Sequence, residues 1–237
     1  DTIISSVQER YNERDPVLSA INVFDLPLGM RTPFSNQFAF LCIYLEMLCT
    51  MDGENTIPDG TSGFINKLIL LAYDTCAERR SAKPYHPNRS LKVDEALRKY
   101  DIHAHVTNSR KITWYDVVDF LASKGEPALA MIASRFAVPT LEDVIATISD
   151  KRIANAYIDN TVFQTTEPLA QYVRRKLTDS LDRYPCISGY TKFDISDARI
   201  VSLDLDDIAK GVGVSAAKNL SLMFFLAYFT LTKRIFI

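Results

Sequence analysis

Apolar residues recur at helical spacing along most of this chain, and this periodicity constrains the fold more than any other feature. The strongest segments are Phe34–Cys49 and Thr61–Ala82, and the pattern continues through Leu169–Tyr184 and a long apolar run from Ser215 to about Arg234. A shorter amphipathic segment covers Thr2–Tyr11. The chain is therefore predicted to be mostly helical.

Start and stop signals divide the central region into separate helices. Thr113 and Thr140 precede apolar faces and each can cap a helix, and Thr113 is followed three residues later by Asp116, as in a capping box. Pro127 suits the first position of a helix, and Gly125 suits the end of the helix before it. Trp114, at the start of the first of these helices, is predicted to anchor the core rather than to stack on a ligand.

Two short branched runs predict strands near the two ends. Ser19–Phe24 reads SAINVF and Ala198–Leu205 reads ARIVSLDL, and each is followed by a loop and a helix. We expect them to lie side by side as parallel strands. The fold class is predicted as α/β and mostly helical, with an α/β part formed by residues 1–33 and 185–237 and a helical domain over residues 34–184.

Composition narrows the classes of partner and compartment. The formal net charge of the 237-residue chain is -2, which gives no electrostatic reason to expect nucleic acid or an acidic membrane surface. The four cysteines form no CxxC pair, so buried free thiols in a reducing compartment are expected. The longest apolar stretch, Leu220–Leu231, is too short to span a bilayer, and no signal peptide opens the chain. Both ends look cut, which predicts a fragment.

Candidate motifs for chemistry are weak. The sequence KGVGVSAAKN resembles a phosphate loop, but Lys218 falls well inside the expected helix and is followed by Asn, so a plain strand-to-helix connection is favoured. Asp204 and Asp206 end an apolar run, where they could hold magnesium or simply cap the next helix. No metal ligand set is predicted and no catalytic residue is assigned.

The remaining polar clusters have ordinary interpretations. His86, His103 and His105 lack a partner ligand set, so exposed loop histidines are expected. The basic cluster at 174–176 is predicted to be a solvated helix face.

Several segments, in order, resemble one protein family. INVFDLPLGMRTPF followed by FAFLCIYLEML is similar to a stretch of the IcmB/DotO/TraU-like motor ATPases of type IVB secretion and conjugation systems. Further similar pieces are GFINKLILLAYDTCAERRSAKPYHPN, VDEALRKYDI, ITWYDVVDFLASKGEPALAMIASRFAVPTLEDVI and YPCISGYTKFDISDARIVSLDLDDIA, so the resemblance runs from Ile21 to about Phe229. The chain departs from the family at Val23, where a proline is usual, and in the KGVGVSAAKN loop.

The resemblance implies a bacterial RecA-like motor with an all-helical insertion domain, working as a cytoplasmic hexamer peripheral to the inner membrane. This chain would be the segment between the Walker A and Walker B motifs, inactive alone, with ATP and Mg²⁺ expected only for the parent protein. The implied partners are other secretion components and identical subunits, with no membrane insertion. Nucleic acid is not expected as a partner of this fragment, because its formal net charge is -2.

One residue is nominated for a contact, and two other classes of function stay open. Arg31 lies in the loop DLPLGMR after the first predicted strand, where α/β sheets place ligands, so it is expected to contact nucleotide or a neighbouring subunit. A helical protein–protein interaction module without motor activity would show the same helices but would not need strands at both ends. A nucleic-acid binder would need a basic face.

Overall fold

The computed structural model describes residues 20–51, 56–78, 80–102, 111–162, 166–192 and 214–232. Within these ranges the chain forms nine α helices and two short 3-10 turns, Asn155–Tyr157 and Pro185–Ile187. The helices are α1 (Ser35–Leu48), α2 (Thr61–Ala77), α3 (Leu91–Lys99), α4 (Trp114–Ser123), α5 (Pro127–Ala137), α6 (Leu141–Thr147), α7 (Lys151–Ala154), α8 (Leu169–Arg183) and α9 (Val214–Thr232). The prediction of a mostly helical chain is confirmed.

Local signals set the helix boundaries in the middle of the chain. Both α4 and α6 begin with a complete capping box. In each, the threonine hydroxyl accepts a hydrogen bond from the backbone N–H of an aspartate, and the carboxylate of that aspartate accepts one from the threonine backbone N–H. The aspartates are Asp116 and Asp143, and a cap of this kind contributes about 1 kcal/mol to stability. Gly125 follows α4 with a φ of 76°, a conformation that L side chains rarely adopt, and Pro127 opens α5.

A first apolar cluster joins helices α1, α2, α6, α8 and α9 with the segment 21–26. Its largest fully buried side chains include Tyr44, Tyr73, Phe24 and Phe64. Helix α9 packs on α1 through aromatic stacking, since the Phe40 ring centroid lies 4.1 Å from that of Phe229. The cluster thus contains residues from both of the predicted parts, 1–33 with 185–237 and 34–184.

A second apolar cluster is formed by helices α3, α4 and α5 with Cys76 at the end of α2. Trp114 is 3% exposed, and its ring centroid lies 4.6 Å from Phe136 and 5.0 Å from Tyr85. The prediction that Trp114 is a core residue is confirmed.

The loop after residue 24 connects the two clusters. Leu26 and Met30 pack in the first cluster, whereas Leu28 packs against the second. Tyr73 on α2 donates a hydrogen bond of 2.7 Å to the carbonyl oxygen of Phe24, which fixes the start of the loop. The apolar residues of DLPLGMR therefore serve packing on both sides.

The strand predicted at Ser19–Phe24 is wrong for residues 20–24, which are buried but follow no strand geometry. The backbone N–H groups of Asn22 and Phe24 bond to side chains rather than to a neighbouring strand, Asn22 to the Thr191 hydroxyl at 2.8 Å and Phe24 to the Asn22 side-chain oxygen at 3.2 Å. The Asn22 side chain in turn donates to the Pro139 carbonyl oxygen at 2.9 Å. Other backbone groups bond the loop around residue 190, with the Lys192 N–H donating to the Ala20 carbonyl oxygen at 3.1 Å. Burial without a neighbouring strand explains the apolar run.

Other predictions fall on parts of the chain outside the described residues. These are Ser19, the helix Thr2–Tyr11 and the strand Ala198–Leu205, so the expected parallel pair has no described partner strand. Among the described residues no β-strand occurs, and the partial sheet of the α/β prediction is not supported; the pairing there is limited to isolated bridges such as Pro84 with Thr113. None of the described helices is long and apolar enough to cross a membrane.

The burial of Trp114 generates a stability prediction. Trp114→Ala removes an indole that is packed between Tyr85 and Phe136, and we expect it to lower the free energy of unfolding by about 3–5 kcal/mol. The matched control is Leu91→Ala, since Leu91 is 67% exposed and its loss should cost less than about 0.5 kcal/mol. Urea unfolding followed by circular dichroism measures both; an unchanged midpoint for Trp114→Ala contradicts the core role.

Candidate functional site

An open cleft of about 760 Å³ lies beside the start of α6. Four separate segments line it: residues 88–90, the end of α5, the start of α6 and residues 188–192. Side chains from α5 include Ile132, Arg135 and Phe136, and α6 with its cap contributes Thr140, Glu142 and Asp143. Polar and charged groups predominate among these residues.

The loop before α3 is held in place by a buried carboxylate. Asp94 is 7% exposed, and its two oxygens accept hydrogen bonds from the Tyr85 hydroxyl at 2.6 Å and from the Asn88 backbone N–H at 2.7 Å. Asn88 has a φ of 69°, so this bond stabilises a left-handed turn. Burial, followed by the hydrogen bond to Asp94, raises the pKa of Tyr85. Arg89 and Ser90 are thereby positioned at the edge of the cleft.

Another wall of the cleft is the loop 188–192, which side chains tie to two other regions. The Ser188 hydroxyl donates to a Glu142 carboxylate oxygen at 2.8 Å, and the Thr191 hydroxyl donates to Asp25 at 2.6 Å while accepting from the Asn22 backbone N–H at 2.8 Å. These bonds join the loop to α6 and to the segment that follows residue 20. The wall is therefore built from residues that are far apart in sequence.

Lys83 does not line the cleft, but it contacts two residues that do. Its ammonium forms an ion pair with Asp143 and donates to the Tyr190 hydroxyl at 3.2 Å, and only 15% of its side chain is exposed. Its carbonyl oxygen accepts from the Trp114 backbone N–H at 2.9 Å, next to the capping box of α4. Burial by itself lowers the pKa of Lys83, but the nearby Asp143 carboxylate and its hydrogen bond outweigh this effect, so the pKa is raised and the ammonium stays charged.

Aromatic rings run from the second apolar cluster to the cleft. The Phe136 ring lies 4.6 Å from Trp114 and 5.1 Å from Tyr190, measured between centroids. The Tyr190 ring also has two cations over it, the Lys83 ammonium at 4.8 Å and the Arg89 guanidinium at 5.6 Å. Tyr190 is thus positioned by contacts of its ring as well as of its hydroxyl.

Arg31, the residue nominated from the sequence, lies outside the cleft lining. Its guanidinium is 2.8 Å from an Asp119 carboxylate oxygen and 4.6 Å from the centroid of the Tyr115 ring, and 47% of its side chain is exposed. These contacts attach the loop DLPLGMR to α4. Contact of Arg31 with nucleotide or with a neighbouring subunit stays a prediction.

The weaker candidates have mixed outcomes. Lys218 lies inside α9, as expected for a plain connection, while Asp204, Asp206, His103 and His105 fall outside the described residues. His86 is exposed, and no group of three or more metal-ligating side chains occurs in the described ranges. The prediction of a solvated face at 174–176 is wrong for Lys176, which is 6% exposed and has its ammonium 5.8 Å from the ring centroid of Tyr172, one turn earlier on α8.

The four cysteines are free thiols, as predicted. Cys49 and Cys76 are buried, whereas Cys42 and Cys186 are half-buried. Burial raises the pKa of Cys49 to about 12 and that of Cys76 to about 11. Neither thiol is activated as a nucleophile at neutral pH.

Sequence reasoning missed Lys83, Tyr190 and the cleft itself. The one local signal was the spacing of Thr140 and Asp143, which predicts a capping box. It does not indicate that the Asp143 carboxylate also forms an ion pair with Lys83. No family model, curated protein or solved structure matches this chain.

The Lys83–Asp143 pair generates a prediction about coupling energies. In a double-mutant cycle with Lys83→Met and Asp143→Asn we expect a coupling of about 1–3 kcal/mol, because the ammonium is largely removed from water. The comparison pair Arg31 and Asp119 is about half exposed or more on both sides, so its cycle should give about 0.2–1 kcal/mol. Chemical denaturation of the single and double variants gives both couplings. Equal couplings in the two cycles would refute the special role of Lys83.

Proposed function

We propose that this chain is an interaction segment of a type IVB secretion or conjugation motor ATPase, and that the cleft beside α6 is its docking surface. One observation carries the proposal. Three of the separate segments that carry the family resemblance contribute residues to the same cleft: Asn88 from the first, residues 132–143 from the second and residues 188–192 from the third. If the family uses a common binding surface, the segments that carry the resemblance are expected to meet at that surface.

The chemistry of the cleft favours binding over catalysis. The Asp143 carboxylate is engaged by Lys83 and by both donors of Thr140, and Glu142 accepts from Ser188. Carboxylates that are held by such partners orient the wall and are poorly placed to exchange protons with a substrate. We therefore assign the coupling of ATP hydrolysis to the parent protein, where ATP and Mg²⁺ would bind to motifs that this chain lacks.

The remaining features of the proposal follow from the family resemblance. The parent would be a RecA-like hexamer in the bacterial cytoplasm at the inner membrane, with other secretion components and identical subunits as partners. Arg31, half exposed on the loop that links the two apolar clusters, is the residue proposed to face a neighbouring subunit.

A second candidate is a helical interaction module of a secretion complex without motor activity. It is favoured by the outer face of α9, where Phe224 and Tyr228, one helical turn apart, are 56% and 58% exposed. Two large aromatic side chains on one exposed face are typical of surfaces that bind other proteins. On this alternative, α9 rather than the cleft carries the function.

The parent gene and its transfer activity separate the two candidates. We expect a GxxxxGK[ST] loop upstream of this segment, and we expect Tyr190→Ala in the parent to reduce secretion or conjugative transfer while Phe224→Ala does not. Absence of that loop, or loss of transfer only with Phe224→Ala, would favour the module without motor activity. Circular dichroism of both variants controls for folding.

The missing phosphate loop generates a prediction about nucleotide binding. Without the backbone donors and the lysine of that loop, most of the binding free energy of a triphosphate is unavailable. Isothermal titration of this chain with Mg-ATP should therefore show no binding in the low-micromolar range. The parent protein, titrated in parallel, should bind Mg-ATP; low-micromolar affinity of the isolated chain would contradict the prediction.

A further inference from the structure

We propose that the cleft binds an extended acidic segment of a partner protein. This inference rests on the proposed function, because it names the partner chemistry for the same cleft.

The cleft is locally basic although the whole chain has a formal net charge of -2. Arg89, Arg135 and Lys192 line it together with only two acids, Glu142 and Asp143, and the charge of Asp143 is balanced by the buried Lys83. Glu142 accepts a hydrogen bond from Ser188 and keeps its charge. Three cations against two acids leave the lining with a positive formal charge, which attracts negatively charged side chains.

Two of these cations are available to a ligand. Arg89 and Lys192 are exposed, and neither forms an ion pair with any other residue in the ranges that the structure describes. They come from two segments of the lining, Arg89 just before α3 and Lys192 at the end of the loop 188–192, and the Arg89 guanidinium lies 5.6 Å from the Tyr190 ring centroid. A ligand that pairs with both cations would therefore contact two segments that are about a hundred residues apart in sequence.

The aromatic and apolar part of the lining favours a peptide over a nucleotide. A base would have to stack on Tyr190, but cations already lie over that ring and the Phe136 ring meets it at 64°. By contrast, Ile132 and the edge of Phe136 offer apolar contact to an aliphatic side chain. The backbone N–H groups of Gly189 and Tyr190 have no acceptor in the described part of the chain, so an extended backbone can bond to them.

The test uses surface plasmon resonance with a biotin-tagged peptide of alternating glutamate and leucine, captured on streptavidin. A peptide with lysine in place of glutamate is the ligand control. We expect the folded chain to bind the glutamate peptide, and its binding to weaken with rising salt, as it does for ion pairs at an open surface. Equal binding of both peptides, or of neither, would overturn the proposal.

Charge reversal locates the site. Arg89→Glu combined with Lys192→Glu should slow association with the glutamate peptide by about tenfold or more, since both residues supply steering charge. The matched control is Lys151→Glu, an exposed lysine that does not line the cleft, and its association rate should stay near that of the unaltered chain. Unchanged binding by the double variant overturns the proposal.

Competition distinguishes the peptide from other anions. Free glutamate peptide, inorganic triphosphate and single-stranded DNA are each used to displace the captured peptide. If triphosphate or DNA does so at a lower concentration than free glutamate peptide, the cleft is a phosphate site, and the assignment to a peptide is overturned. The proposed function fails separately. If the parent gene has no GxxxxGK[ST] loop upstream, the proposed motor function is refuted but peptide binding by the cleft is not. If the parent is an active motor ATPase and the cleft does not bind the peptide, only this inference is refuted.

Discussion

The arrangement of this chain depends on one largely buried cation, the ammonium of Lys83. It neutralises the carboxylate that caps α6, while the carbonyl oxygen of the same residue receives the first backbone N–H of α4. Helix α6 belongs to the first apolar cluster and α4 to the second, so Lys83 links the two clusters, in addition to the loop after residue 24. Loss of its charge would leave Asp143 poorly compensated at a partly buried site, which is costly.

The same residue decides which charges of the cleft remain for other molecules. Because Lys83 and Thr140 engage Asp143, and Ser188 engages Glu142, the acidic groups of the lining serve the fold. The exposed cations of the lining, Arg89 and Lys192, form no ion pair within the part of the chain that the structure describes. A chain with a slightly negative formal charge therefore has a positive opening, and this difference is invisible in its composition.

Sequence reasoning succeeded where the physics is local. The Thr113 and Thr140 caps, Pro127 and the periodicity of α1, α2, α8 and α9 each depend on residues within one or two turns, and the structure confirms them. It failed at Ala20–Phe24, where burial comes from distant loops and Asn22 bonds the Pro139 carbonyl, because branched apolar composition does not distinguish a strand from a buried irregular segment. The cleft could not be predicted, since its walls are separated by about a hundred residues.

The chain of rings from Trp114 through Phe136 to Tyr190 has a practical consequence. Trp114 is the single tryptophan of the sequence, so its intrinsic fluorescence comes from one place and needs no label. The indole contacts Phe136, and Phe136 contacts the Tyr190 ring in the lining of the cleft. A change in ring packing at the cleft would alter the surroundings of the Trp114 indole. The intrinsic fluorescence of Trp114 can therefore report on ligand binding at the cleft.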